Sequence, residues 1–197
     1  MTTSTLMKKL SMATVGAAVV ALGVVDSAQA FGFTGAYDPS NWTLSNNNTN
    51  GYVDTSNAPS SISIIGGNTG QGLPGQTTYT TTALIGGLLS FNWSYGTADW
   101  NPGYDPFGFV LNGAFTQLTN NSGPNGQSGA FSTTLAQGDI FGFGINTTDN
   151  ILGPGNATIS DFAAPVPEPV STLGMLIGTG AMLKRRQQQK AKDKSIG

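Results

Sequence analysis

The heptapeptide Leu89-Ser90-Phe91-Asn92-Trp93-Ser94-Tyr95 alternates apolar and polar side chains at every position. Successive side chains of a β-strand point to opposite faces, so this period of two predicts a strand with one buried face. The apolar face carries Leu89, Phe91, Trp93 and Tyr95. We therefore expect Trp93 to lie in the core of a sheet protein.

Shorter segments with the same character recur on both sides of this heptapeptide. Further strands are predicted at 61–65, 77–82, 107–111, 114–118, 130–135, 141–145 and 157–162. Turn-forming Gly, Pro and Asn residues separate them, and no window shows a sustained helical period. This pattern predicts an all-β fold, a single antiparallel β-sandwich of the jelly-roll kind. The Asn- and Thr-rich segment 37–57 is predicted to be irregular.

The charged residues are distributed unevenly along the chain. All eight basic residues lie within positions 8–9 or 184–194, and the chain has no His and no Cys. Segment 31–167 has no Lys or Arg but seven Asp, a formal charge of −7. Without basic residues this segment cannot neutralise phosphates, which excludes nucleic-acid binding. The missing His and Cys exclude imidazole or thiolate zinc sites, His-dependent nucleophiles and disulfides.

The N-terminus has the order of a secretory signal peptide. Lys8 and Lys9 precede an apolar run over 10–25, which is followed by Ala28-Gln29-Ala30. Ala28 and Ala30 are the small residues that signal peptidase accepts, so cleavage after Ala30 is predicted. An uncleaved membrane anchor is the alternative, but the short, Ala- and Gly-rich run favours cleavage.

The C-terminus contains three parts in sequence. The tripeptide Pro167-Glu168-Pro169 precedes an apolar stretch, 170–183, and then a basic cluster, 184–186. A helix over the apolar stretch would be about 21 Å long, shorter than the hydrocarbon core of about 30 Å. The basic residues directly behind it nevertheless favour a membrane helix with a cytoplasmic tail.

The segment VPEPVSTLGMLIGTGAMLKRRQQQK, residues 166–190, resembles a PEP-CTERM sorting signal of exported bacterial proteins, and cyanobacterial examples most closely. The resemblance implies that Pro167, Glu168 and Pro169 form the sorting motif of an exosortase-type enzyme. It divides the chain into a signal peptide (1–30), an exported sandwich (31–163) and a sorting signal (164–197). Segment 105–162 also resembles the exported sandwich domains that many such proteins carry, which implies a fold and a location but no activity.

Three Asp residues are the candidate metal ligands. Asp99 and Asp105 flank the loop 100–104, and Asp149 lies in a second polar cluster. Ca²⁺ takes oxygen ligands only, so it is the candidate cofactor of these residues. In the alternative interpretation each carboxylate forms an Asx turn with its own backbone, the more common role of Asp in such loops.

Aromatic residues supply a second candidate site. An indole face can stack on the C–H side of a sugar, and Trp100 and Tyr104 share one loop, so these two are the candidate glycan-stacking residues. Trp42 could stack in the same way, whereas Trp93 is assigned to the core. Paired Asp residues could serve a glycosidase. The segment has no cationic or imidazole group to orient a substrate, so no catalytic residue is predicted and we do not expect an enzyme.

The sequence therefore predicts an exported protein of the cell surface or extracellular matrix with a structural or adhesive role. The alternative is a glycan-binding sandwich module, with or without Ca²⁺. The predicted partners are signal peptidase, an exosortase-type enzyme, the membrane before processing and, for the alternative, surface glycans.

Overall fold

A computed structural model describes residues 28–167 of the protein. In this range it has eleven strands and two short 3₁₀ helices, Gly35–Tyr37 and Pro39–Asn41. The strands are β1 (Ala28–Phe31), β2 (Thr43–Asn47), β3 (Tyr52–Asp54), β4 (Ser61–Ile65), β5 (Gly75–Thr82), β6 (Gly87–Thr97), β7 (Phe107–Leu111), β8 (Ala114–Gln117), β9 (Gly126–Leu135), β10 (Ile140–Thr147) and β11 (Gly155–Val166).

The strands form two sheets in which every pairing is antiparallel. One sheet has the order β3-β4-β11-β6-β9, with β1 also pairing with β11, and the other has the order β2-β5-β10-β7-β8. Strands β4 to β11 thus form two four-stranded layers, β4-β11-β6-β9 and β5-β10-β7-β8, the strand order of a jelly roll. The predicted all-β class and antiparallel sandwich are confirmed.

The alternation over 89–95 produces the buried face that it predicts. Leu89, Phe91, Trp93 and Tyr95 are all buried, while Asn92 and Ser94 on the other face are exposed.

Local turn chemistry fixes the hairpin formed by β7 and β8 in the other sheet, because Asn112 and Gly113 between them both have positive φ (50° and 82°). Asn-Gly at these dihedral angles forms the two-residue turn whose twist matches that of the paired strands.

Aromatic side chains from both sheets fill the core between the layers. Trp42 lies between two of them, with ring centroids 5.1 Å from Tyr79 and 5.5 Å from Phe143 and nearly parallel planes. Its indole N–H donates to the Tyr37 carbonyl at 3.0 Å, so its polar atom is paired. Trp42 is therefore a core residue, and the prediction that it could stack on a sugar was wrong.

Segment 37–57 is more regular than predicted. It contains β2, in which all five residues are exposed, and the short β3. β2 is held by backbone pairing with β5, from Thr43 opposite Thr80 to Asn47 opposite Gln76. Because β2 buries no face of its own, its sequence shows no alternation, and the expectation of an irregular segment was wrong.

The two ends of the described chain lie side by side. Ala28 pairs with Val166 and Ala30 with Ala164, so β1 lies along the last residues of β11. Cleavage after Ala30 would fall within β1, and the start of the predicted sorting signal, 164–166, lies in β11. Residues 1–27, Glu168, Pro169 and the predicted membrane helix lie outside the described residues. Between residues 28 and 167 no helix is long and apolar enough to cross a bilayer.

Candidate functional site

The loop between β6 and β7, residues 98–106, carries both aromatic candidates, and we call it the aromatic loop. Trp100 is 80% exposed and Tyr104 is 39% exposed, whereas Trp42 and Trp93 are each 8% exposed. Exposing an indole to water forgoes the free energy of burying a large apolar side chain. Trp100 is thus the tryptophan that the described part of the chain presents at its surface.

Hydrogen bonds at the start of this loop hold the backbone beside Trp100. The Asp99 carboxylate accepts a hydrogen bond from the Trp100 N–H, and the Asp99 N–H donates to the Thr97 hydroxyl at 3.0 Å. The Asn125 side chain donates to the Asp99 carbonyl at 2.8 Å, which joins the loop to the start of β9. The indole is therefore attached to a backbone that hydrogen bonds to Thr97, Asp99 and Asn125 hold in place.

The end of the loop is anchored as firmly. The Tyr95 hydroxyl donates to the Asp105 carbonyl at 2.8 Å, and the Thr97 hydroxyl donates to the Asp105 carboxylate at 3.1 Å. The Thr148 N–H donates to the Tyr104 carbonyl at 2.8 Å. Because both ends are tied to neighbouring strands and loops, Trp100 and Tyr104 are displayed on a closed turn.

The two Asp residues that flank the loop are buried, which the sequence did not predict. Asp99 is 2% exposed and Asp105 is 1% exposed. The pKa of Asp105 is raised to about 6, mainly by burial and to a smaller extent by the charges of Asp99 and Asp149, while the hydroxyls of Thr97 and Thr147 act in the opposite direction. A buried carboxylate is disfavoured in its charged form unless hydrogen bonds or a cation compensate for the lost water.

One oxygen of Asp99 is left without compensation. Its Oδ2 atom is buried and has no hydrogen-bond partner among the described residues. Segment 31–167 has no Lys, Arg or His, so no side chain there can supply a positive charge. The Asp99 and Asp105 carboxylates are thus the described groups best suited to a hard cation.

Asp149 does not complete a metal site with these two. Its carboxylate accepts from the Ile151 N–H at 3.2 Å, two residues along the chain, as in an Asx turn. Within residues 28–167 no group of three or more Asp, Glu, His or Cys side chains is arranged to hold a metal ion. Any Ca²⁺ bound at Asp99 and Asp105 would therefore need backbone carbonyls, hydroxyls or water as its remaining ligands.

Asn150, beside Asp149, has a structural role that the sequence did not indicate. Its side chain is fully buried, donating to the carbonyls of Asn48 and Leu73 and accepting from the Thr49 hydroxyl at 2.7 Å. These partners are 77 to 102 residues away in the chain. No local motif could reveal contacts of such long range.

The predicted cleavage residues Ala28 and Ala30 lie at the opposite end of the sheet from the loop that carries Trp100. Ala28 and Ala30 pair along β11 near Ala163, which pairs with Ser90, whereas the loop follows Thr97 at the other end of β6. Pro167 is exposed directly after β11. The structure thus separates Ala28, Ala30 and Pro167 from the loop that carries Trp100 and Tyr104.

Comparisons with known proteins find resemblance only in structure. No protein-family model matches the chain, and no curated protein matches its sequence. A family 35 carbohydrate-binding module from Clostridium thermocellum is similar with a TM-score of 0.33 and 15% identity, covering 70% of this chain and 97% of that one. The CBM35 from Cellvibrio japonicus Abf62 has a TM-score of 0.31 and 16% identity, covering 64% and 99%. Because both TM-scores are low, we derive the function of the loop from its own geometry.

Proposed function

We propose that this domain is a carbohydrate-binding module that holds a glycan on Trp100 and Tyr104. The observation that carries the proposal is the 80% exposure of Trp100 on a loop whose neighbouring residues, Asp99 and Asp105, are both buried. An exposed indole on a fixed backbone can stack on a sugar ring with little loss of conformational entropy on binding. The proposed role is binding rather than catalysis, since the segment has no cationic or imidazole group to orient a substrate beside its Asp residues.

Polar groups for sugar hydroxyls lie on the same surface. The Asn101 side chain accepts from the Gly103 N–H at 2.9 Å and is otherwise exposed. Asn121 also lies against this turn, because a Cβ built on Gly103 would be 3.2 Å from the Cβ of Asn121. Amides can both donate to and accept from hydroxyl groups. They complement the aromatic face of Trp100.

The charge of the domain restricts the glycan to neutral or basic sugars. Segment 31–167 carries seven Asp and no Lys or Arg, so its field repels acidic polysaccharides. No guanidinium or ammonium group is present there to pair with a uronate or sulfate. A neutral polysaccharide is therefore the proposed ligand class.

Ca²⁺ is the proposed cofactor of the loop. The buried, unpartnered Oδ2 of Asp99 and the buried carboxylate of Asp105 support it. A cation there would neutralise charge that no side chain of the segment can balance, and would hold both ends of the loop together. Ca²⁺ would then act on glycan binding through the position of Trp100.

Export and surface sorting are a further part of the proposal, and the resemblance of residues 166–190 to a PEP-CTERM sorting signal supports them. We propose that the chain is exported to the cell surface or extracellular matrix, where glycan binding supplies its adhesive role. Ala28–Phe31 pairs with Ala163–Val166, directly before Pro167, so Ala30 and Pro167 lie at the same end of the sandwich. We propose that an exosortase-type enzyme acts at Pro167, Glu168 and Pro169.

Binding of neutral polysaccharides on a glycan array, followed by titration, tests the carbohydrate proposal. Trp100→Ala should weaken binding about thirtyfold, since truncating a central aromatic contact costs about 2 kcal/mol. Trp100→Phe keeps an aromatic face and should retain part of the affinity. Leu88→Ala is the control, because Leu88 is exposed at the opposite end of β6. Unchanged binding by Trp100→Ala would contradict the proposal.

Processing of a Glu168→Ala variant tests the sorting proposal. Glu168 is the only Glu in the chain and lies between two prolines, a sequence that favours an extended backbone. The variant should accumulate as full-length, membrane-retained precursor, which mass spectrometry of both termini would detect. Normal maturation of the variant would overturn the sorting proposal and leave the glycan proposal standing.

A further inference from the structure

β9 is a long, open edge of the sandwich. Its ten residues, Gly126–Leu135, pair with β6 on one side and with no described strand on the other. In an antiparallel strand every second residue directs its N–H and C=O away from its partner. None of these outward groups forms a hydrogen bond within residues 28–167. β9 therefore presents a row of free backbone donors and acceptors.

The other edges of the described sheets are much shorter. β1, β2, β3 and β8 have four, five, three and four residues. Short strands offer few backbone groups in register and are a common protection against pairing with another chain. β9 is thus the described edge that can support an extended strand-to-strand contact.

None of the usual protective features is present on β9. Its sequence has no charged residue and no Pro, and all ten residues pair with β6 without a register shift. β11 differs, since its pairing with β6 has an irregularity between Ser160 and Ala163. A long, regular and uncharged edge is a template for the addition of another strand.

Symmetry favours a second copy of the same chain as the partner, while the like charge of the two domains opposes the contact. Two copies of a segment with a formal charge of −7 repel each other, and an uncharged strand lets their backbones meet with the least repulsion. An antiparallel pair of identical strands is related by a twofold axis, so the outward N–H groups of each β9 face the outward C=O groups of the other. Such a dimer is also a closed assembly, because the short edge strands on the opposite side offer no comparable contact for a third copy.

A partly buried aromatic residue adds an apolar contribution to this contact. Phe131 lies on the inner face of β9, with its ring centroid 4.8 Å from Phe109 and 5.3 Å from Phe91. It is less buried than either of these two. A second strand added beside β9 would cover its remaining exposed surface.

We propose that β9 pairs antiparallel with β9 of a second copy, so that one sheet continues through a twofold dimer. This interface goes beyond the proposed glycan binding and does not depend on it. It needs no side chain of the aromatic loop. The dimer should strengthen as salt screens the repulsion between the two acidic domains.

Cysteine cross-linking of the full chain tests the dimer, because the native chain has no Cys. Single Cys substitutions at the exposed outer-face residues Ser128, Ala130, Ser132 and Thr134 are compared alone and in mixed pairs. Opposed residues of paired strands lie within disulfide distance, so one position or one mixed pair should cross-link strongly. Ser94→Cys is the control, because Ser94 is exposed on the same face of β6, one strand in from the edge.

An Asp substitution on the best cross-linking background gives the second test: Ser132→Asp, or Ala130→Asp where position 132 carries the cysteine. The substitution brings like charges together across the pair and should lower cross-linking by about tenfold, while the melting temperature shows that the fold persists. Cross-linking no higher than in Ser94→Cys at every β9 position would overturn the proposal. A β9 edge that accepts an unrelated extended peptide while the chain stays monomeric would also overturn it.

Discussion

The Tyr95 hydroxyl donates a 2.8 Å hydrogen bond to the carbonyl of Asp105, across the base of the loop that carries Trp100. Tyr95 is the last of the four alternating apolar residues in β6, so the core strand itself closes the loop. Burial raises the pKa of Tyr95 well above its usual range. The hydroxyl therefore stays protonated and remains a donor at physiological pH.

Tyr95→Phe should weaken glycan binding without unfolding the domain. The substitution leaves the Asp105 carbonyl without this donor, at a cost of about 1–3 kcal/mol in the free energy of unfolding. The matched control is Tyr79→Phe, whose hydroxyl donates to the Pro39 carbonyl at 2.8 Å in another part of the sandwich. We expect both variants to lose stability in urea titrations and only Tyr95→Phe to lose affinity. Equal affinities would show that the loop does not need this anchor.

Sequence pattern identified the strands that bury a face of their own. The segment 61–65 coincides with β4, and the alternation over 89–95 lies within the longer β6. The pairing of β11 with β1, β4 and β6 could not be predicted, because it joins segments that are far apart in the chain. β2 was missed for a different reason, since its stability comes from backbone pairing that leaves no mark on its side chains.

The candidate site was only partly visible in the sequence. The exposure of Trp100 agrees with its position between turn residues, where no alternation assigns it to a core. The burial of Asp99 and Asp105 could not be read from sequence, because buried carboxylates are the exception. The loop that buries them is held by hydrogen bonds from Tyr95 and Asn125 to the backbone carbonyls of Asp105 and Asp99. Those partners carry no motif that links them to the loop.

Gly129→Val should destabilise the sandwich at a defined contact. Gly129 lies opposite Trp93 in the β6–β9 pairing, and a Cβ built on it would be 2.9 Å from the indole ring. A larger side chain must displace a core residue, which costs about 1–3 kcal/mol in the free energy of unfolding. Gly126→Val on the same strand is the control, because a Cβ there meets no atom within 4 Å. Similar urea midpoints for the two variants would contradict a specific fit of Trp93 over Gly129.

Protonation of Asp139 should destabilise the domain in acid. Its carboxylate accepts from the Asn112 side chain at 2.9 Å and from the Ala136 N–H at 2.7 Å. These bonds hold the pKa of Asp139 below its usual range. Because the folded pKa is lower than the unfolded one, the stabilisation is present above the unfolded pKa of about 4 and is lost as pH falls through the folded value.

The measurement for Asp139 is the melting temperature as a function of pH. Asp139→Asn should lower it at neutral pH, and the wild-type and variant curves should converge in acid. Asn112→Gly removes one of the two bonds to Asp139 and also the acceptor of the Ile140 N–H, while keeping a residue that tolerates the φ of 50° found there. The part of its stability loss that changes with pH should be smaller than in Asp139→Asn. Parallel curves at every pH would mean that Asp139 does not contribute through its charge.

Ca²⁺ should raise the melting temperature more than NaCl of matched ionic strength. Both salts screen the repulsion among the seven Asp of segment 31–167. Only an ion that binds the native state at a specific site adds a further shift, which grows with its concentration relative to Kd. The buried Oδ2 of Asp99 has no partner among the described residues, so a bound cation would relieve a cost that screening cannot reach.

Asp99→Asn separates specific binding from screening. It removes the charge of the carboxylate whose Oδ2 has no described partner, so the additional shift with Ca²⁺ should disappear while the shift with NaCl persists. Asp54→Asn is the matched control, because it removes one charge from an exposed residue of β3. It should leave the additional Ca²⁺ shift intact. Equal shifts in the two salts for the wild-type chain would contradict a calcium site and leave Asp99 and Asp105 as anchors of the Trp100 loop.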